Sequence, residues 1–519
     1  MELSVMQLYY NWPPYLFLAL LIHVLVRAMS RAGKEPGRPR MMPPGPWQLP
    51  LIGSIHHLLR GLPHHTMRDL SDRHGPVMLL RVCELVVVVV SSPEAAREVF
   101  KRHGTAFEQR PSSPGLDELH AGHGQGVVLS PYGEHWRLLR RILMTELLSQ
   151  RRVEAFRHIR QDEAARLVSA VVASSAPGQL VDVNDLLVKF IAGSSVRSIV
   201  GGSLPDQAAF LSMMKHATEL SSVFDLRDLF PSSRFVRMLP RSGKAMRHLQ
   251  EVFRVFDDIL SRHEETKAVG DGDGEQGMVD VLLKVQKEGN MRVALTPGVV
   301  KSMVMDVFGA AVDTQTITLQ WAMAELMANP RVMEKAQLEI RHVLAGQESV
   351  QEAALRDLRY LKAVIKETLR LHPPTALIFR LCLEDGQKVQ GYDVPKGTIL
   401  VTNAWAISRD PKHWEDPESF VPERFQGERD LDLGGSNFSF MPFGSGRRIC
   451  PGIDFAQANI EIALASLLYH FDWELPPGVK EEDIDMAEVF GITVKRKADL
   501  VLRPVPRIPV VYDEHSTYS

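Results

Sequence analysis

Between Thr296 and Asn329 the chain carries apolar residues on every face of a helical wheel, from Val299 through Met327. A helix that is apolar all round is buried on all sides, so this stretch predicts a long helix through the middle of the fold. Thr296 stands as its N-cap with Pro297 in the first turn, and Asn329-Pro330 ends it. A second stripe, Ile453, Ala456, Ile460, Ala463, Leu464, Leu467 and Phe471, also has helical spacing. Val77 to Val90 is rich in valine instead and reads as two strands around Cys83-Glu84. Gly391 to Thr398 reads as a hairpin turn. From Pro93 onward helical patterns dominate, including 161–269, which carries no evident chemistry. Asp271 to Gly277 is acidic and glycine-rich, a surface linker. The predicted class is mainly α with a small β portion.

A different apolar run opens the chain. Tyr15 to Val26 is broken only by His23, and Arg27, Arg31, Lys34, Arg38 and Arg40 follow it. Glu2 rather than a basic residue comes first. Positive charge after the run places the remainder in the cytosol, so residues 1–30 read as a membrane anchor rather than a cleaved signal. Residues 31–46, ending in Pro43-Pro44-Gly45-Pro46, form a basic and proline-rich hinge. The remainder divides into one domain, 47–507, and a tail, 508–519.

Composition changes this picture little. The chain is 45% hydrophobic and 24% charged, and its net charge of -3 gives no reason to expect nucleic acid binding. Its three cysteines, Cys83, Cys382 and Cys450, are far apart with no Cys-x-x-Cys pair, which indicates neither zinc nor a disulfide framework and suits a reducing compartment. The pairs His56-His57 and His64-His65 lack metal-site spacing and read as solvated.

The candidate chemistry centres on Phe443-Gly444-Ser445-Gly446-Arg447-Arg448-Ile449-Cys450-Pro451-Gly452. Glycines at 444, 446 and 452 let the backbone turn tightly and approach a flat ligand. Cys450 lies just before the helix predicted from Ile453, where free amides and the helix dipole stabilise a thiolate, with Arg447 and Arg448 adding positive charge. A buried, ionised sulfur on such a turn suits a haem iron as an axial ligand. The bland alternative is a buried cysteine beside a glycine turn. A phosphate cradle at Gly444-Ser445-Gly446 lacks the surrounding Gly-Lys-Ser/Thr or dinucleotide spacing.

Phe443, Gly446, Arg448, Cys450 and Gly452 together resemble the haem-ligand loop of the cytochrome P450 family. Four positions of Ala310-Ala311-Val312-Asp313-Thr314 resemble the family's oxygen-activation signature, with Ala311 where glycine is usual and Gln315 where a second hydroxyl is common. Trp136 and Arg140, four apart on one helical face, resemble its propionate-binding pair. Glu367 with Arg370, and Pro422-Glu423-Arg424-Phe425, resemble its Glu-x-x-Arg and Pro-Glu-Arg-Phe elements, whose charged groups form a buried network behind the haem. Phe379-Arg380 stands where Pro-Arg is usual, shifted by one position.

The resemblance runs from Pro43 to Pro506 and is nearest to plant microsomal members that oxidise specialised metabolites, terpenoids among them. It implies the cytochrome P450 fold around a buried haem b, with Cys450 as axial thiolate and metal ligand. It implies that Trp136, Arg140, Arg380 and Arg448 hold the propionates and that Asp313 and Thr314 guide protons. It also implies an endoplasmic reticulum location, use of O2, and electrons from NADPH through a partner cytochrome P450 reductase. No nicotinamide or flavin fingerprint occurs in the chain, in keeping with an outside reductant. By family position the substrate meets Phe107–Leu129, Phe308–Thr314, Thr375–Phe379 and Phe490–Thr493. These are largely apolar apart from Glu108, Asp117 and Glu118, so the substrate is expected to be lipophilic. A phenolic or alkaloid hydroxylase, a hydroperoxide-rearranging haem enzyme, and a haem protein that binds without turnover stay open as alternatives.

Overall fold

The computed structural model describes residues 40–102, 105–111, 126–174, 176, 178–221, 226–238, 243–269, 276–289, 295–427 and 431–508. The predicted anchor, residues 31–39 of the hinge, residues 271–275 of the linker and residues 509–519 of the tail lie outside them. So do Asp117 and Glu118. No helix among the described residues is long and apolar enough to cross a membrane.

The central helix spans Pro297–Ala328, and the Thr296 hydroxyl accepts the Val299 amide at 3.3 Å as its N-cap. It packs against helices Val183–Val200, Arg359–Leu371 and Ile453–His470. Two cores meet along it. Its C-terminal half, Leu319 to Met327, joins the larger core, with Phe190, Tyr360 and Leu464. Its N-terminal half, Val299 to Ala311, joins a second core with Trp136, Phe256 and Phe455. Near the end of that N-terminal half, Gly309 and Ala310 are exposed between the buried Phe308 and Ala311. A surface that stays accessible in mid-protein marks a cavity.

The strands form the second layer. A four-stranded sheet has the order Val77–Val82, Leu85–Val90, Ile399–Asn403, Leu377–Leu381. Val77 pairs with Val90 and Val82 with Leu85, so the turn falls on Cys83-Glu84 as expected, with Cys83 at φ +56. Leu85–Val90 runs parallel to Ile399–Asn403, and Leu377–Leu381 antiparallel to it.

Two local expectations are corrected. Strands Gln387–Val389 and Tyr392–Val394 pair through a turn at Gln390 and Gly391, φ +50 and +82, so the hairpin turns earlier than Gly391 to Thr398. Consecutive left-handed residues are what a two-residue hairpin loop needs to match strand twist. His64, taken for a solvated residue, is 0% exposed and bonds Glu488, 424 positions away, at 2.8 Å. A sequence-distant carboxylate makes the burial tolerable.

Candidate active site

The cysteine loop is closed by its own backbone. The amides of Gly444, Ile449 and Cys450 donate to the carbonyls of Met441, Gly446 and Phe443 at 3.0, 3.1 and 3.0 Å. Gly444 and Gly446 sit at φ +75 and +77, and a Cβ on Gly446 would lie 3.3 Å from the Phe100 carbonyl. Both therefore need to be glycine. Gly452 differs: its φ of -98 suits any residue, and it contributes its amide, 3.4 Å from Cys450 Sγ. It caps helix Ile453–His470, which aims that helix's N-terminus at the sulfur.

The charge of the sulfur is set by opposing influences. Burial pushes the Cys450 thiol up, while the Gly452 amide, Arg140 and Arg110 pull it down and do not fully offset the burial. A metal ion at the sulfur would favour its thiolate form.

Around the loop lies a cluster of arginines short of carboxylates. Arg448 donates from Nε to the Glu108 carbonyl at 2.6 Å and from Nη2 to the Ser130 carbonyl at 2.7 Å. Its guanidinium lies 4.7 Å over the ring of Trp136, which is itself buried on helix Glu134–Ile142. Arg140, one turn on, feels the Cys450 sulfur. Arg380 is buried on strand Leu377–Leu381, its Nη1 donating to the Phe379 carbonyl at 2.9 Å.

Arg110 is the member the sequence did not reveal. The Leu381 amide donates to the Gln109 carbonyl at 2.7 Å, and this bridge sets Arg110 beside Arg380. Burial lowers Arg380 to about 9 and Arg448 to about 10, and Arg110 and Arg140 shift the same way. Glu108 opposes the cluster, its own carboxyl pushed up by burial. Asp306, on the central helix, also feels Arg110; burial raises it to about 7. It accepts the Val128 amide at 2.9 Å. Buried guanidinium groups in such excess call for a bound anion. The arrangement fits a flat ligand with carboxylate arms whose centre meets Cys450.

The central helix reaches this cluster through Asp306, which faces Arg110. A Cβ on Gly309 would meet nothing within 4 Å, so there is open space at this turn. Thr314 Oγ1 donates to the Ala310 carbonyl at 2.8 Å, and Thr318 Oγ1 to the Thr314 carbonyl at 2.9 Å. Asp313 is partly buried beside it. Ala311 turns its methyl into the second core and leaves the Gly309–Ala310 face bare.

The Glu-x-x-Arg pair is buried as expected, and Arg424 Nε reaches Glu367 at 3.3 Å. Glu423 is not part of that network. It bonds Lys335 at 2.6 Å and the Tyr360 hydroxyl at 3.0 Å toward the surface.

The sequence model of the family described as Cytochrome P450 matches residues 43–502. The chain belongs to the cytochrome P450 family. Among its relatives, premnaspirodiene oxygenase of Hyoscyamus muticus is 40% identical over 95% of this chain and 98% of its own length. Zealexin A1 synthase of Zea mays is 41% identical, covering 94% and 97%. Tabersonine 6,7-epoxidase isoform 2 of Catharanthus roseus is 41% identical, covering 95% and 96%. A solved zebra fish cytochrome P450 with abiraterone superposes with a TM-score of 0.72 at 25% identity, over 86% of this chain and 99% of that one. This P450 is accordingly a monooxygenase of the plant specialised-metabolism type, in a family that uses haem iron with thiolate ligation.

Proposed function

We propose that this P450 inserts one oxygen atom from O2 into a lipophilic small molecule, with electrons from NADPH delivered by a partner reductase. The observation that carries the reading is the arginine cluster beside Cys450, in which Arg110 and Arg140 act on the sulfur and Arg380 and Arg448 flank Arg110, together with the exposed Gly309–Ala310 stretch of the central helix. Bound haem b would supply the oxygen-activating chemistry. Cys450 would hold its iron, and Phe443, Gly446 and Gly452 would shape the loop around that sulfur. Arg110, Arg140, Arg380 and Arg448, with the indole of Trp136, would hold its carboxylate arms. Thr314 and Asp313 would hold and move protons on the cavity side of the central helix. Terpenoid substrates are favoured by the premnaspirodiene oxygenase relative and by the apolar residues at the proposed contact regions. Residues 1–30 are proposed to tether the single domain 47–507 to the endoplasmic reticulum.

The deciding experiment has two arms. The reduced, CO-bound spectrum of Cys450→His should lose its thiolate-type Soret band; a band left at its original position would remove Cys450 from the role. A terpenoid panel fed to the enzyme with reductase should yield an oxygenated product that depends on NADPH.

A further inference from the structure

We propose that His64, His65 and Glu488, completed by His372, form a binding site for a zinc-class divalent cation. His64 Nε2 and His65 Nε2 lie 2.8 and 3.0 Å from Glu488 Oε2, and these ligand atoms all lie within 4.8 Å of one another. A tetrahedral zinc ion with bonds of about 2.0–2.2 Å spaces its ligand atoms about 3.3 Å apart. Small outward shifts therefore admit the ion among them.

His372 is the second, independent observation. It is 8% exposed, and its Nδ1 has no hydrogen-bond partner yet faces Glu488 Oε1 at 3.9 Å. Its other nitrogen, Nε2, bonds Glu325 Oε1 at 2.7 Å. A ring whose proton is taken by a carboxylate while its free lone pair faces a cluster is oriented as metal-ligating histidines are. Trp321 stacks on that ring at 3.7 Å and 3°, and Trp405 stacks on His65 at 4.2 Å and 24°, so both imidazoles are held.

Ligand chemistry selects the ion. Imidazole nitrogens with one carboxylate, and no thiolate, favour a borderline cation over calcium or magnesium. Glu488 and Glu325 supply negative charge here, while of the cations nearby Arg409 is engaged by Glu418 at 3.0 Å and Arg496, 5.7 Å over the Trp321 ring, is shared between Asp485, Asp499 and Glu325. The side chain of His65 is 39% exposed, which gives the ion a route in. Binding involves no change of oxidation state; on His64 and His65 the Nε2–H facing Glu488 is lost and an Nδ1–H forms in its place, leaving each Nε2 lone pair for the ion. For His64 the Nδ1 is buried without a partner, so the ion should be removable by a chelator.

The site would tie three sequence-distant segments together. His64 and His65 open helix Pro63–His74, Glu488 lies on hairpin Glu488–Phe490/Val494–Arg496, and His372 follows helix Arg359–Leu371. That hairpin also bonds Pro374 through the Val494 amide at 2.9 Å. A cation here staples the hairpin to the sheet layer.

The test uses the haem-loaded full chain, stripped with a chelator, incubated with zinc sulfate and desalted. Elemental analysis should find one zinc per haem iron, with a raised melting temperature. Glu488→Gln and His65→Ala should each lose the zinc while keeping the wild-type haem spectrum, which reports folding. His65→Ala, at a half-exposed position, remains informative if Glu488→Gln does not fold. No stoichiometric zinc in the wild type, equal zinc in His65→Ala, or calcium binding as well as zinc would each overturn the proposal and leave a hydrogen-bonded latch.

Discussion

Arg370 grips Glu367 with both arms, Nε to Oε2 at 2.7 Å and Nη2 to Oε1 at 2.8 Å, and both side chains are 0% exposed. The remaining arginine protons go to the carbonyls of Ser408, Pro417 and Ser419, and the Val421 amide completes the carboxylate. Removing one partner strands a charge in a dry interior. Glu367→Gln should cost about 3–5 kcal/mol and lower the yield of haem-loaded protein. Glu423→Gln, at a half-exposed pair with Lys335, should cost no more than about 1 kcal/mol. Thermal melts of the two variants side by side check the contrast, and equal losses would contradict it.

Arg110 and Arg380 should show opposite effects with and without haem. Arg110 repels Arg380 and Arg448, and Arg380 repels Arg448, so neutralising either relieves the empty protein. The same change removes an anchor for the ligand's carboxylates. Arg110→Leu and Arg380→Leu should speed haem transfer to an acceptor apoprotein about tenfold for every ~1.4 kcal/mol of binding lost. The apoprotein should be no less stable than wild type. An unchanged transfer rate would take Arg110 out of the proposed haem site.

What the sequence disclosed and what it hid divide by distance along the chain. The central helix, the valine strands, Trp136 with Arg140 and Glu367 with Arg370 are local patterns, and periodicity exposes local patterns. Arg110 depends on a backbone bridge to Leu381, Asp306 on an amide 178 positions away, and His64 on a carboxylate 424 positions away. None of these leaves a periodic trace.

Asp306 gives the pH dependence. Its carboxyl stands at about 7 when folded against an ordinary 3.8, because burial outweighs Arg110 and the Val127 and Val128 amides. The folded chain therefore binds more protons than the unfolded chain between those values, and stability falls as pH rises through that window. Asp306→Asn keeps an acceptor for the Val128 amide and removes the titration. Melting temperatures at several pH values from about 5 to 8 should show the variant gaining on wild type as pH rises. Parallel curves would mean that Asp306 does not titrate there.

Thr314 sits where the proposed chemistry and plain helix physics compete. Its hydroxyl donates to the Ala310 carbonyl at 2.8 Å, a bond that any mid-helix threonine can make and that does nothing for catalysis by itself. The same geometry leaves the oxygen's lone pairs free to accept from water or substrate beside the bare Gly309–Ala310 face. Valine at 314 keeps the shape and deletes only the hydroxyl. Haem binding should survive, since Thr314 touches neither Cys450 nor the arginine cluster. Positioned proton transfer contributes about 10²–10⁴-fold in rate, and that is the upper bound on the loss, because water can substitute in part. With reductase present, NADPH consumption should continue while product falls and hydrogen peroxide rises. Following all three in one assay separates the roles. If Thr314→Val keeps the wild-type ratio of product to NADPH, the hydroxyl serves only its own helix, and proton delivery must be assigned to Asp313 or to water alone.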